Sequence, residues 1–146
     1  MNSECVFCKI IKGESVGYII FEDTNSVAFL DIRPLFPGHL LLIPKIHYET
    51  ISDLPLSIIE PFFNNAKFLS IVLEKGLRAD GTLIVINNRV SQSIPHLHIH
   101  IIPRHKGDGL KGFFWPRIPY KDKDSIIEMQ RKLIGLIESF KTKEDI

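Results

Sequence analysis

Cysteine is nearly absent from this chain, with two residues in 146, both in the segment Cys5-Val-Phe-Cys8. That excludes a disulfide-stapled scaffold, which needs several paired cysteines. The spacing suits a metal half-site or a redox pair before a structural disulfide. Charge of one sign is also scarce. A formal net charge of +1 excludes a strongly basic nucleic-acid binder on global grounds and leaves only local patches open. No apolar run approaches the ~20 residues that a membrane span needs. The opening residues, Met-Asn-Ser-Glu-Cys, lack the basic start and long apolar stretch of a signal peptide, so the expected setting is the cytosol. A glycine-rich phosphate loop of P-loop type is missing, as is a Ser-His-Asp arrangement. There are no repeats and no low-complexity tracts.

What remains is an ordinary globular composition, 45% hydrophobic and 24% charged, in a chain long enough for one domain over residues 1–146 with a real core. Helical spacing of Val6, Phe7, Ile10 and Ile11 predicts a short helix over Cys5–Lys12, stopped by Gly13. Tyr18–Glu22 and Ser26–Asp31 read as strands around an Asp23-Thr24-Asn25 turn. A proline-rich loop follows, then the nearly all-apolar strand His39–Ile43, expected to be central and to end at Pro44. Ser52-Asp53-Leu54-Pro55 opens a helix whose apolar period runs to about Lys75, with Gly76 as its stop. Pro61 demands either a kink or a start near Glu60. Leu83–Asn87 is a fourth strand, and Ser125–Phe140 a closing amphipathic helix. Short turns between strands imply an α+β fold: a five-stranded antiparallel sheet with helices on one face.

The fifth strand carries the chemistry. Ile94–Arg104 places His96, His98 and His100 at strict two-residue spacing, alternating with Leu97, Ile99 and Ile101. In a strand this puts all three imidazoles on one face, about 6.6 Å apart and roughly 13 Å end to end. Two adjacent histidines could share one metal, but three in a straight line hardly converge on it, so the row reads as separate jobs side by side. Pro95 and Pro103 bracket it. A neutral imidazole is a good nucleophile towards phosphorus when its other ring nitrogen is held by an acceptor. His98, flanked on both sides, is the natural nucleophile, and His100 a donor to phosphate oxygens or a leaving group.

His96-Leu-His-Ile-His-Ile-Ile resembles the His-φ-His-φ-His-φ-φ signature of the histidine triad superfamily (φ apolar). Cys5-Val-Phe-Cys8-Lys-Ile-Ile-Lys-Gly-Glu is similar to that family's N-terminal segment. Ala28-Phe-Leu-Asp31-Ile-Arg-Pro34 and Pro37-Gly38-His39-Leu-Leu-Leu-Ile-Pro44-Lys45-Ile-His47 resemble its central block. The likeness covers about residues 5–108, leaving an aromatic loop and helix over 109–146. It implies a sheet domain that dimerises with a second copy. It also implies a hydrolase that cleaves dinucleoside polyphosphates or nucleoside phosphoramidates, with purine nucleotides the expected substrates. His98 would become transiently nucleotidylated at the α-phosphate, and water would release a nucleoside monophosphate. His100 and His39 would assist. Asp31 would hold the ribose hydroxyls beside Ile32, and Asn87, Gln92 and Ser93 would surround the phosphates and leaving group. Branches that transfer nucleotides commonly carry glutamine at the third triad position, so His100 favours hydrolysis. A nucleotidyltransferase or phosphorylase using another acceptor is the alternative enzyme. A nucleotide-binding interaction protein with incidental turnover is the alternative outside enzymes.

Some relatives with the same Cys-x-x-Cys hold a structural zinc through positions that correspond to Cys5, Cys8, His47 and His96. No organic cofactor is implied. The chain departs from the family pattern before the triad, where Asn88-Arg-Val-Ser-Gln-Ser93 is about two residues shorter and carries Ser91 where glycine is usual. After the triad, Arg104–Arg117 is rich in cations and aromatics, and reads either as a solvated loop or as a flap in which Lys111, Trp115 and Arg117 meet polyphosphate or a second nucleoside.

Overall fold

The structure is a computed structural model and describes residues 4–110 and 118–141. The Lys111, Trp115 and Arg117 flap therefore lies outside the described residues. The chain falls into two compact units, Met1–Asp108 and Gly109–Ile146. In the second, α3 runs over Lys123–Lys141. It is opened by the Asp122 carboxylate, which accepts from the Ser125 backbone N–H at 2.8 Å.

The first unit is built on a five-stranded sheet: β1 (Ile19–Glu22), β2 (Ser26–Leu30), β3 (Leu40–Pro44), β4 (Gly81–Ile86) and β5 (Ile99–Arg104). Their order is β1-β2-β3-β5-β4, and every neighbouring pair is antiparallel. β3 is central and wholly buried. Its alternation sorts the core into two layers. Leu40 and Leu42 pack with Ala28, Ile99 and Ile101 and with Phe62, Ala66, Leu69 and Leu73 of α2 (Leu56–Gly76). Leu41 and Ile43 pack with Val27 and Phe29 and with Phe7, Cys8 and Ile10 of α1 (Val6–Ile11). Helices thus cover both faces, which corrects the expectation of one. The row Leu40-Leu-Leu-Ile43 is apolar at every position because it has two cores to fill. Each fully buried Leu, Ile or Phe contributes about 1.5–3 kcal/mol.

α2 starts at Leu56 directly after Pro55, so its regular part precedes Glu60 and Pro61 lies inside it. By length and composition it is long and apolar enough to cross a membrane, contrary to the sequence expectation. Its buried residues Phe62, Ala66, Leu69 and Leu73 nonetheless recur at helical spacing and pack into the sheet core.

Of the prolines expected at strand ends, Pro44 takes that role and Pro103 does not. Pro44 is the last residue of β3, paired with Ser26. Pro103 lies within β5, opposite Thr82. β3 pairs with β5 only from Ile99 to Ile101, so Pro103 needs hydrogen bonds on one side alone. β5 begins at Ile99, not at Ile94. Ahead of it the His96 N–H turns back to the Ile94 carbonyl (2.8 Å), and the Leu97 N–H donates to the Tyr48 carbonyl (2.6 Å) outside the sheet. His96 and His98 therefore precede the regular strand.

Candidate active site and metal centre

A cleft of about 490 Å³ opens on the α1 side of the sheet. His98, His100, Asp31, Ile32 and Ser93 line it, together with Phe7 and Ile10 of α1. His100 pairs with Leu41 of β3, and that register aims it into the same layer as α1. His39 arrives from the Pro37-Gly38 turn. Gly38 has φ +93°, a backbone form that favours glycine at the turn delivering His39 to β3.

Hydrogen bonds fix the protons on these rings. The His98 Nδ1–H donates to the His96 carbonyl at 2.7 Å, which leaves Nε2 as a lone pair. The Leu35 N–H donates to His39 Nδ1 at 3.2 Å, so the neutral ring carries its proton on Nε2. That Nε2–H donates to His100 Nδ1 at 2.9 Å, and His100 therefore holds its own proton on Nε2. The His98 and His100 ring centroids are 4.9 Å apart. The outcome is a nucleophile without a proton beside a donor with one.

Burial keeps the set neutral. It lowers His98 below its ordinary 6.5, against the opposing pull of the His96 carbonyl and Asp31. It lowers His39 likewise, with Asp31 opposing. His100 is pushed down to about 4, first by burial and then by the neighbouring His98 and His39 rings. Asp31 is tied down too: Oδ1 accepts from the Arg33 N–H at 2.8 Å, and Oδ2 lies 3.7 Å from His39 Nε2. Asp31, His39 and His100 have the residue types of a metal site. The proton on His39 Nε2 makes a hydrogen-bonded chain the better description.

His96 belongs to a second constellation. Cys5, Cys8, His47 and His96 present donor atoms all within 4.8 Å of one another. The His96 Nδ1 lies 3.5 Å from the Cys5 sulfur and 3.7 Å from that of Cys8, and His47 Nδ1 lies 3.4 Å from the Cys8 sulfur. A tetrahedral zinc with bonds of about 2.3 Å to sulfur and 2.0–2.1 Å to nitrogen has S···N edges of about 3.5 Å. The four residues therefore fit that ion. His96 Nε2–H donates to the Pro44 carbonyl at 2.9 Å, which turns Nδ1 towards the sulfurs, as an orienting second bond does for a metal-bound imidazole. Burial lowers His96 to about 4, so it stands neutral, as a ligand must.

The structure brings His98, His100, His39, Asp31, Ile32 and Ser93 together, and separately Cys5, Cys8, His47 and His96. Asn87 and Gln92 do not line the cleft. Gln92 instead pins its loop, accepting from the Arg89 N–H at 2.7 Å and donating to the Glu49 carbonyl at 2.6 Å. Within that short loop Arg89 and Ser91 have φ +66° and +59°, so Ser91 takes the backbone form that glycine would adopt freely. Sequence reasoning missed the wall contributed by Val6, Phe7 and Ile10. Helical spacing marked them as apolar, but nothing marked them as facing a cleft.

The model of the HIT domain matches residues 12–107. A HIT-like protein of Methanocaldococcus jannaschii is 47% identical over 107 residues, 72% of this chain and 82% of that protein. The adenosine 5'-monophosphoramidase HNT1 of Saccharomyces cerevisiae is 33% identical over 142 residues, 94% of this chain and 85% of the relative. The adenylylsulfatase HINT3 of Arabidopsis thaliana is 39% identical over 75% of this chain, which spans only 57% of that protein. Among solved structures, a histidine triad nucleotide-binding protein from Candida albicans superposes with a TM-score of 0.80 at 29% identity, covering 94% of this chain and 99% of that one. A zinc-bound histidine triad protein from Mycobacterium smegmatis gives 0.70 at 32% identity, with 93% and 96% covered. The chain belongs to the HIT family.

Proposed function

We propose that this protein is a nucleotide hydrolase that cleaves at the α-phosphate of dinucleoside polyphosphates or nucleoside phosphoramidates. The observation that carries the reading is the proton arrangement: a bare His98 Nε2 beside a protonated His100 Nε2 at one end of an apolar cleft. The cleft walls of Phe7, Ile10 and Ile32 suit a nucleobase, and the Asp31 carboxylate suits the ribose hydroxyls. His98 Nε2 bonds to phosphorus as the bond to the leaving group breaks, and the leaving group takes a proton through His100. Water then replaces His98 on phosphorus and returns a proton to His100, giving a nucleoside monophosphate and the free His98 imidazole. Ser93 stands on the same cleft wall, where it can donate to phosphate. The monophosphoramidase and adenylylsulfatase names of two relatives support a nucleotide bearing a small leaving group on its α-phosphate.

Zinc is proposed at Cys5, Cys8, His47 and His96, where it supplies a structural cross-link. Cysteines held as zinc ligands instead of as a disulfide suit a reducing compartment, and the cytosol is proposed as the setting. A homodimer is proposed as well, since β4 is an edge strand with exposed Ile84, close in sequence to exposed Leu77 on the preceding turn. The deciding experiment compares kcat/KM for diadenosine polyphosphates and adenosine phosphoramidate, with acid-quench trapping of nucleotidylated protein. A linked nucleotide in the native protein that is missing from His98→Ala supports the mechanism. Tight nucleotide binding without turnover of either substrate class would sink it.

A further inference from the structure

Helix α1 has two functional sides. Cys5 at its start and Cys8 within it approach His96 and His47. Val6, Phe7 and Ile10, interleaved with them, line the cleft assigned to the nucleotide. A helix of six residues is too short to stand alone, and its N-terminus has no side-chain capping bond. Its placement therefore depends on what holds it from either side. On the sheet side that is apolar packing against Val27, Phe29, Leu41 and Ile43. At the Cys5–Cys8 end it is the metal constellation. A second route runs beside the first: the Phe7 ring lies edge-on to both His96 (5.8 Å) and His98 (5.3 Å).

From this shared element we infer that metal occupancy at Cys5, Cys8, His47 and His96 sets the affinity of the cleft for nucleotide, and that nucleotide occupancy sets the retention of the metal. The inference rests on the nucleotide reading of the cleft. Without metal, binding a nucleoside must first order α1 as a wall, and that ordering weakens binding. With metal, the wall is already in place. Linkage makes the effect reciprocal, with one factor governing both equilibria.

The test uses the full chain and AMP, the expected product, so that turnover does not interfere. AMP affinity is measured by calorimetry on zinc-loaded protein, on chelator-stripped protein whose fold is checked by circular dichroism, and on the Cys5→Ser/Cys8→Ser variant. Zinc affinity is measured by competition with a chromophoric chelator, with and without saturating AMP. The expected result is AMP binding about tenfold weaker in the stripped and variant proteins, and zinc held about tenfold more tightly with AMP, within the range usual for coupled sites. Equal AMP affinity in loaded and folded stripped protein overturns the inference, as does a zinc affinity indifferent to AMP. Should stripping unfold the chain, the zinc competition on loaded protein decides alone. Loaded protein that fails to bind AMP at all overturns the nucleotide reading, and the coupling with it. Protein that takes up no zinc overturns the coupling but leaves the nucleotide reading standing.

Discussion

The His98 ring hangs from the backbone of His96: its Nδ1–H donates to that carbonyl at 2.7 Å. Two residues at strand spacing thus hold each other in different roles. The His96 side chain faces the cysteines, and its peptide carbonyl sets the tautomer that exposes His98 Nε2.

Replacing His98 with alanine removes the only group assigned to attack phosphorus. Turnover is expected to fall by at least about three orders of magnitude, with no nucleotidylated protein trapped. Nucleotide affinity should survive, because the apolar walls are untouched. A variant that retained the trapped intermediate would place the nucleophile elsewhere.

His39 works through His100. In His39→Ala the Leu35 N–H and His100 Nδ1 lose the ring between them, and His100 is free to take the wrong tautomer. A drop in kcat of about 10²-fold with KM nearly constant is expected, the size of a general-acid contribution. A change in KM alone would assign His39 to binding.

The pH profile follows from burial. Burial holds His98 below its ordinary 6.5, so its Nε2 keeps the attacking lone pair at neutral pH and is protonated only at lower pH. His100 is held down to about 4, so it resists a second proton further still. The acid limb of kcat/KM should lie below pH 6.5, with activity level above it. Stability moves the same way. Between pH 6.5 and 4 the unfolded chain takes up this proton and the folded one resists it, so the urea midpoint should fall as pH falls through that window. An acid limb centred at or above 6.5 would contradict the neutral arrangement.

Elemental analysis should find one zinc per chain, and none in Cys5→Ser/Cys8→Ser. Because Cys8 is fully buried and the ion would tie Cys5 and Cys8 to His47 and His96, its loss should lower stability by about 2 kcal/mol or more. For a chain this size that is a fall in Tm of roughly 5–10 °C by calorimetry.

Gly38→Ala tests the turn that delivers His39. The new Cβ would displace the movable end of Leu77 (Cδ1 at 2.6 Å), touch Pro103 Cγ at an ordinary 3.4 Å, and sit at a backbone angle of +93°. About 2 kcal/mol of destabilisation is expected from strain and contact together, read as a lower urea midpoint. Gly13→Ala is the control: it shares a positive φ of +74° and meets nothing within 4 Å, so it isolates the backbone part of the cost.

Much of this was legible before any coordinates. The two-residue alternation of the triad and the unbroken apolar run of β3 located the central strands. The resemblance to a known family named the residues that gather in the cleft and around the cysteines. Other features depend on contacts that leave no local trace. Nothing near Ile94 says that Leu97 will bond to Tyr48, 49 positions earlier, and so delay β5 to Ile99. Gln92 carries the same amide wherever it points, and only the fold shows it spent on the Glu49 carbonyl. The second layer of helix was missed because α1 is short, and its apolar spacing fits either face of a sheet equally well.

The register of β5 against β3 ties packing to chemistry. Leu41 faces His100, with Leu42 opposite Ile99 and Leu40 opposite Ile101. A slip of one residue would turn every side chain over, sending His100 into the oily layer under α2 and the isoleucines into the cleft. Misassembly would therefore cost the chain its packing and its chemistry in a single stroke, so the sheet cannot mature into a stable but inert molecule by that route. The hydrophobic half of the strand acts as a proofreader for the histidine half.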